Sequence, residues 1–229
     1  MIPITNPAIE DYLFRLASRC DEPVLNAMEE YGHRRRFPII DRLVGAMIHL
    51  LALSIGARQV FELGSGYGYS AYWFGRAVGP AGKVWCTDGD EKNKKLAADF
   101  LTKAGLWERI EFLVGDAVRS FKKTGGAFDI VYNDIDKPGY PEAWQAAKER
   151  IRPGGLYIAD NTLWSGRVTE AKVTDDVAPG WTEAIQRHNE LVYADKNFDV
   201  TLVPLRDGVI VARRSTRPPA RSPRPGPVP

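Results

Sequence analysis

The feature that most constrains the fold is a series of short apolar segments that alternate with amphipathic ones from residue 58 onward. The apolar segments are "QVFELG" (59–64), "KVWCTD" (83–88), "RIEFLVGD" (109–116), "FDIVYND" (128–134) and "GGLYIAD" (154–160). Stretches with helical spacing of apolar residues lie between them, at 70–78, 91–105 and 141–151. Nearly continuous apolar strands that alternate with helices are typical of a parallel sheet covered on both faces.

The two ends of the chain extend this architecture. Apolar residues at helical spacing predict an N-terminal helical cap, with helices at 7–19, 22–31 and 41–56. The last apolar segments, "FDVTLVPL" and "DGVIVARR", are separated by a short turn, whereas a parallel crossover needs about a dozen residues. We therefore predict a doubly wound α/β fold: a mostly parallel seven-stranded sheet with an antiparallel edge hairpin and the helical cap.

The C-terminal segment "STRPPARSPRPGPVP" (215–229) differs from the rest of the chain in composition. It holds three arginines, no acidic residue and six of the 16 prolines, so we predict a disordered tail. Without it, the 31 basic residues fall to 28 against 29 acidic ones, a net charge of −1. That balance argues against a nucleic-acid-binding protein. The remainder is predicted to be one domain, 1–214, with a cap region (1–57) and a sheet core (58–214).

The sequence also bears on location. No apolar run approaches the ~20 residues of a membrane span, so no membrane partner is expected. The N-terminal "MIPITNPAIEDYLF" lacks the basic start and apolar core of a signal peptide. Cys20 and Cys86 are too few and too far apart for a disulfide framework or a zinc site. These features predict a protein of the reducing cytoplasm.

Polar residues stand where the predicted strands end. The first strand ends in the glycine turn "ELGSGYG", and the next four end in Asp88, Asp116, Asp134 and Asp160. Because a doubly wound sheet binds its ligand at the carboxyl ends of its strands, we expect these residues to share one cleft. The charges of "YNDIDKPGY" (132–140) suggest a site, since buried carboxylates are costly unless they are paired or bind a metal. For this segment alone, a solvated loop with a salt bridge is the alternative.

The glycine turn and its neighbours indicate the cofactor. Gly64, Gly66 and Gly68 let the backbone approach a ligand, but their spacing is not the G-x-G-x-x-G of dinucleotide-binding proteins. Glu62 would repel a pyrophosphate, and it suits a ligand that carries an ammonium group. Asp88 lies where an acid accepts hydrogen bonds from ribose hydroxyls. A ribose joined to a phosphate-free cationic end describes S-adenosylmethionine.

With these segments the chain resembles a class I methyltransferase and, more narrowly, the cation-dependent O-methyltransferases of the catechol and caffeoyl-CoA type. The matching segments are "ELGSGYGYSA", "VWCTD", "FDIVYNDIDKPGY", "RPGGLYIADNTLWSGRV" and "VPLRDGVIVARR". The resemblance implies a Rossmann-like methyltransferase fold, S-adenosylmethionine and a divalent cation as cofactors, and a homodimer in which the N-terminal helices cap the acceptor pocket.

The resemblance also implies roles for individual residues. Asp134, Asp160 and Asn161 match the metal ligands, and Lys137 matches the candidate general base. Trp164 and Asp207 match positions that line the acceptor pocket. The cofactor-binding residues, taken from the resemblance, the glycine turn and the strand ends, are Glu62, Gly64, Ser65, Gly66, Gly68, Ser70, Asp88, Asp116, Ala117 and Asp134. Ile40 departs from the family, which carries a threonine near the metal at this position.

The implied ligands are all oxygen donors, with no Cys or His among them. Hard oxygen donors favour Mg²⁺, Mn²⁺ or Ca²⁺ over zinc or copper, and Mg²⁺ is the expected ion. Such an ion would lower the pKa of a bound hydroxyl, and Lys137 would accept the proton. Asp136 shares the predicted strand face of Asp134 and is a rival ligand, although the spacing to Lys137 and the resemblance favour Asp134.

The sequence thus predicts an S-adenosylmethionine-dependent and divalent-metal-dependent O-methyltransferase that acts on a hydroxyl of a catechol-like small molecule. The alternative is a tRNA hydroxyuridine O-methyltransferase, for which "HRRR" (33–36) and the arginine-containing tail are the only support. A non-catalytic binding module is disfavoured because the four implied metal and base residues are intact. Glu62 and the glycine spacing disfavour a nicotinamide oxidoreductase.

Overall fold

The structure is a computed structural model that describes residues 6–17, 22–169 and 179–216. Three helices come first: α1 (Pro7–Ala17), α2 (Pro23–Arg35) and α3 (Arg42–Ser54). Strands and helices then alternate as β1 (Gln59–Leu63), α4 (Tyr69–Ala77), β2 (Lys83–Asp88), α5 (Glu91–Lys103), β3 (Ile110–Val114), α6 (Ala117–Lys123), β4 (Phe128–Asn133), α7 (Tyr140–Ala147), β5 (Ile151–Ala159), α8 (Trp181–Ala194), β6 (Phe198–Val203) and β7 (Val209–Arg214). Except for Ser215 and Thr216, the predicted tail lies outside the described residues, as does Cys20.

The strands form one seven-stranded sheet in the order β3-β2-β1-β4-β5-β7-β6. The first five strands pair in parallel, and the predicted edge hairpin is confirmed. Its second strand, β7, is the inner one, since it pairs antiparallel with both β5 and β6. The strand order changes direction between β1 and β4, which is where a doubly wound sheet binds its ligand.

A hydrophobic core covers each face of the sheet. On one face the helices α2 to α5 contribute buried residues that include Leu25, Met28, Ile48, Phe74 and Leu101. On the other face α6 to α8 contribute Phe121, Trp144, Ile185 and Val192. Each large apolar side chain buried in this way stabilises the fold by about 1.5–3 kcal/mol. This double burial is the reason that the parallel strands are nearly continuous apolar runs.

The helical boundaries follow local signals that the periodicity only partly captured. α3 begins one residue later than predicted, because Asp41 is its N-cap and accepts hydrogen bonds from the backbone nitrogens of Leu43 and Val44 at 2.8 and 3.0 Å. The helices α6 and α8 were not predicted. α6 has only seven residues, and α8 places His188 among its buried positions, which weakens the apolar signal. No helix within the described ranges is long and apolar enough to cross a membrane.

Candidate active site

A cleft of about 1060 Å³ opens at the carboxyl ends of the strands. The segment from Phe37 to Ile40, just before α3, forms one of its walls. Eight of the ten predicted cofactor residues line the cleft: Gly64, Ser65, Gly66, Ser70, Asp88, Asp116, Ala117 and Asp134. Glu62 and Gly68, the other two, are not among the residues that line it. Lys137, Asp160, Asn161, Trp164 and Asp207 all line it, as predicted.

The turn after β1 needs glycine for steric reasons. Gly64 has a φ of +81°, and a Cβ atom there would lie 2.4 Å from the backbone oxygen of Asp134. Hydrogen bonds fix the turn: the Gly64 nitrogen donates to Thr87 Oγ1 at 3.0 Å, and the Ser65 nitrogen donates to the Thr87 oxygen at 2.8 Å. The ends of β1, β2 and β4 are thereby held close together, and the backbone is exposed to a ligand.

Glu62 lies beneath this turn and is fully buried. Its Oε2 atom accepts hydrogen bonds from Ser65 Oγ at 2.9 Å and from Cys86 Sγ at 3.3 Å. Burial raises the pKa of Glu62 to about 7. Glu62 therefore supports the turn from below, and it holds Ser65, which does line the cleft.

The acids at the ends of β2 and β3 bond to residues nearby in sequence. Asp88 Oδ1 accepts hydrogen bonds from the Asp90 nitrogen at 2.8 Å and from Asn93 Nδ2 at 3.0 Å. Asp116 is the N-cap of α6 and accepts from the Arg119 nitrogen at 2.7 Å. These contacts fix the orientation of both carboxylates. Capping α6 is by itself a sufficient reason for an aspartate at position 116, whether or not Asp116 binds a ligand.

The predicted ligands and base come together at the ends of β4 and β5. Lys137 Nζ lies 2.7 Å from Asn161 Oδ1 and 3.4 Å from Asp134 Oδ1. The lysine is only 6% exposed, and its ammonium group lies 4.7 Å from the centroid of the Tyr140 ring and 5.5 Å from that of Trp164. The aromatic faces and the oxygens surround the amine in a largely desolvated place.

Asp160, like Glu62, has a buried carboxylate oxygen without a hydrogen-bond partner among the described residues. Its Oδ1 atom is buried and accepts no hydrogen bond from the described residues. Burial, together with the nearby charge of Asp134, raises the pKa of Asp160 to about 8. A buried carboxylate oxygen without a partner is costly, and a divalent cation would satisfy it. The donor set of Asp134, Asp160 and Asn161 therefore fits such an ion.

The described residues contain no group of three His, Cys, Asp or Glu side chains arranged to hold a metal. The proposed set differs from such a group because its third donor is the amide oxygen of Asn161. Asp136, the rival ligand, lines the cleft but its side chain is exposed. Among the described residues, its side chain makes no hydrogen bond or ion pair with this cluster, so the geometry favours Asp134.

Tyr140 is a site residue that the sequence reasoning did not single out. Its hydroxyl is 2.8 Å from Lys137 Nζ and donates to the backbone oxygen of Asp160 at 3.0 Å. It is fully buried, and its ring packs edge-on against His188 with centroids 5.2 Å apart. Tyr140 thus links the lysine to the strand end that carries Asp160. Its place three residues after Lys137, at the first position of α7, was the available signal.

The segment after β5 forms the side of the cleft where the sequence predicts the acceptor pocket. Asn161, Trp164 and Ser165 all have positive φ values, of 54°, 48° and 54°. The Ser165 nitrogen donates to Asp207 Oδ1, and the Leu163 nitrogen donates to the Asp207 oxygen at 2.8 Å. The Trp164 ring lies 5.9 Å from that of Trp181, which also lines the cleft. Ile40 lines the cleft too, and it brings no hydroxyl group to it.

A doubly wound seven-stranded sheet with one reversed strand, a glycine turn after β1 and an acid at the end of β2 define a Rossmann-like methyltransferase. The sequence profile of the O-methyltransferase family matches residues 18–215, and the chain belongs to this family. It is an S-adenosylmethionine-dependent O-methyltransferase.

The chain is similar to several named enzymes. It is 30% identical over 165 residues to a catechol O-methyltransferase of Niastella koreensis, and the alignment covers 70% of this chain and 73% of that enzyme. It is 26% identical over 191 residues to a caffeoyl-CoA O-methyltransferase of Stellaria longipes, covering 80% and 79%. The structure of TomG from Streptomyces achromogenes, an O-methyltransferase of tomaymycin synthesis in complex with S-adenosylmethionine, aligns with a TM-score of 0.80 at 25% identity, covering 90% and 95%.

Proposed function

We propose that this O-methyltransferase depends on a divalent cation and transfers the methyl group to a hydroxyl of a catechol-like small molecule. The observation that carries the proposal is the orphaned Oδ1 of Asp160, which lies in one cleft with Asp134, Asn161 and Lys137. The similarity to catechol and caffeoyl-CoA O-methyltransferases supports an aromatic acceptor with adjacent hydroxyls.

In this proposal the glycine turn and the acids beside it bind S-adenosylmethionine. Asp88 would accept hydrogen bonds from the ribose hydroxyls, since it ends β2 and lines the cleft. The backbone at Gly64 and Gly66 can approach the ligand because neither residue has a side chain. Glu62 would act from beneath the turn by holding Ser65 and by adding a negative potential under the cationic end of the cofactor.

Asp134, Asp160 and Asn161 would hold a Mg²⁺-like ion, whose chemistry is to lower the pKa of a bound hydroxyl and to orient it. Lys137 is close to the same oxygens and would accept the hydroxyl proton as the oxygen takes the methyl group. Trp164 and Trp181 would contact the aromatic acceptor from the side of the cleft. Holding the hydroxyl oxygen in line with the methyl group supplies much of the rate.

A homodimer and a cytoplasmic location belong to the same proposal, together with a single domain over 1–214. α1 has no buried residue, and Ile9, Tyr12 and Leu16 expose 53%, 53% and 39% of their surface. Leu50 and Leu53 of α3 are also exposed. An apolar face of this kind suits a second copy of the chain. Light scattering should then give twice the 25.5 kDa of one chain, and a monomer at micromolar concentration would contradict the dimer.

The experiment that tests the function is methyl transfer from labelled S-adenosylmethionine to a panel of catechols and to bulk tRNA, with and without EDTA. We expect transfer to catechols that EDTA abolishes and that added Mg²⁺ or Mn²⁺ restores. The tRNA arm addresses the alternative function, which the exposed residues 33–36 support. Full activity in EDTA would remove the metal from the mechanism, and transfer to tRNA alone would replace the acceptor.

A further inference from the structure

We propose that Arg206 is a positioning residue that sets the shape of the acceptor half of the cleft by clamping α1 to two wall segments. The inference rests on the proposed function in one respect, namely that this half of the cleft receives the acceptor. Arg206 lies in the turn between β6 and β7, directly before Asp207. It does not line the cleft itself.

The guanidinium group of Arg206 contacts three separate parts of the chain. Its Nη1 atom lies 3.0 Å from Glu10 Oε2 on α1, a residue 196 positions away in sequence. Its Nε atom pairs with Asp41 Oδ2 at the start of α3. The guanidinium carbon also lies 5.5 Å from the centroid of the Phe14 ring, again on α1. One side chain therefore joins α1, the start of α3 and the β6–β7 turn.

The backbone of Arg206 shows that its position is constrained. Its φ of +53° lies in the left-handed region, which residues other than Gly, Asn and Asp adopt only at a cost in free energy. Such a conformation persists when the surrounding contacts over-determine it. The two carboxylates and the aromatic ring supply these contacts. The ion-pair side chains are partly buried: Arg206 is 35% exposed, Glu10 27% and Asp41 17%.

Both segments that Arg206 joins to α1 belong to the cleft wall. Asp41 follows Ile40, which lines the cleft. Asp207 follows Arg206, lines the cleft and accepts a hydrogen bond from the Ser165 nitrogen. Loss of the guanidinium group would release the Asp41 and Asp207 segments from each other. Because α1 buries no residue, its own docking depends on few contacts, and the clamp is one of them.

The variant Arg206→Gly separates positioning from folding. Glycine removes the clamp but accepts a positive φ without strain, so the melting temperature should not fall. Arg206→Lys keeps the charge without the planar fork and should restore part of the effect. Arg76→Ala is the matched control, because Arg76 also makes a long-range ion pair, with Glu22 at 2.8 Å, and lies over an aromatic ring, that of Tyr72. Arg76 does not line the cleft.

Steady-state kinetics with the best catechol acceptor and binding of S-adenosylmethionine by calorimetry are the first two measurements. For Arg206→Gly we expect the acceptor KM to rise about tenfold, the effect of one charged contact, with kcat and the cofactor Kd within twofold of wild type. The acceptor KM of Arg206→Lys should lie between those of wild type and Arg206→Gly, and the KM of Arg76→Ala should match that of wild type. An unchanged KM in Arg206→Gly, or an equal loss of kcat and cofactor binding, would overturn the proposal.

Limited trypsin digestion supplies a readout that does not need an acceptor. Cleavage between Arg15 and Leu16 of α1, followed by mass spectrometry, should be at least fivefold faster in Arg206→Gly than in wild type or Arg76→Ala. Unchanged cleavage would contradict the clamp. If wild type methylates no catechol while cleavage still accelerates, the proposed function fails and the clamp stands as a contact between α1 and the wall.

Discussion

The cleft has two parts in the proposed function. The cofactor half comprises the glycine turn, Asp88 and Asp116, and the acceptor half comprises Lys137, Asp160 and the segments around Asn161 and Asp207. The two halves are held together in different ways. In the cofactor half, Asp88 bonds to groups two and five residues further along the chain, and Asp116 to a group three residues further. In the acceptor half, the bonds join distant segments: Lys137 Nζ meets Asn161, and the Ser165 nitrogen meets Asp207. The two acids of the first half are thus oriented by neighbours in sequence, whereas the polar side chains of the second half are oriented by segments 24 and 42 residues away.

Backbone conformation separates the two halves in the same way. In the cofactor half the left-handed positions are glycines, at Gly64, Gly66 and Gly68, which adopt them without strain. In the acceptor half Trp164, Ser165 and Arg206 have positive φ values, which cost of order 1–3 kcal/mol each, and Asn161 has one at a lower cost. Strain held in place by tertiary contacts is a mark of functional sites. We infer that the cofactor half binds, whereas the acceptor half performs the chemistry.

The largest effect should come from Asp160→Ala, which removes the orphaned carboxylate of the acceptor half. We expect turnover to be abolished because the proposed cation would lose a buried ligand. Binding of S-adenosylmethionine, measured by calorimetry, should persist. Asp199→Ala, at an exposed aspartate of β6, is the control. If Asp160→Ala loses the cofactor as well, the two halves are not separable.

Lys137→Ala should have the next largest effect. We expect kcat to fall by roughly 10²–10⁴-fold, the usual contribution of a positioned general base, while the KM of the acceptor changes little. Part of the activity should return at high pH, where the acceptor hydroxyl ionises without a base. A pH profile of kcat for wild type and variant measures both effects. A normal kcat would reduce the lysine to a structural ion pair with Asp134.

The stability of the acceptor half should depend on pH through His188, which packs behind Tyr140. Burial lowers the pKa of His188 to about 4, from 6.5. Because the unfolded chain takes up this proton first, the stabilising contribution is present above pH 6.5 and is lost as the pH falls toward 4. In urea denaturation, the unfolding free energy of wild type minus that of His188→Gln should therefore fall by about 3 kcal/mol as the pH falls over that range.

In the cofactor half, Glu62 makes the unfolding free energy change with pH in the opposite direction. The variant that tests this is Glu62→Gln. Burial raises its folded pKa to about 7, from 4.5. Its contribution is therefore present below pH 4.5 and is lost as the pH rises through 7. The same denaturation series should lose this slope in Glu62→Gln and keep the His188 slope. Equal changes in both variants would show that one shared process controls stability.

The smallest effect concerns Asp88→Ala. We expect S-adenosylmethionine affinity to fall by about 1.5–3 kcal/mol, the value of a hydrogen bond to a charged group, with kcat unchanged at saturating cofactor. Calorimetry and cofactor-saturation kinetics measure these quantities. A fall in kcat at saturation would mean that the cofactor half also takes part in the chemical step.

Much of the cleft could be predicted, because strand ends and glycine turns are local features. The periodicity predicted the five parallel strands, and their last residues led to Asp88, Asp134 and Asp160. Arg206 was missed, since nothing in its neighbourhood shows which carboxylates it meets, and Tyr140 was missed although it lies only three residues after Lys137, whose amine it contacts. That Glu62 lies beneath the turn and holds Ser65 could not be predicted, because it follows from the burial of β1 on both faces of the sheet.

By itself, the sequence determined the kind of sheet, the glycine turn and the edge at which the acids stand, because alternation of elements and turn chemistry are properties of neighbouring residues. Only the tertiary structure decided that β7 lies between β5 and β6, that Lys137 meets Asn161, and that Arg206 meets Glu10. These contacts join residues from 24 to 196 positions apart. Such pairs form only when the packing of both faces has fixed where each strand end and turn lies.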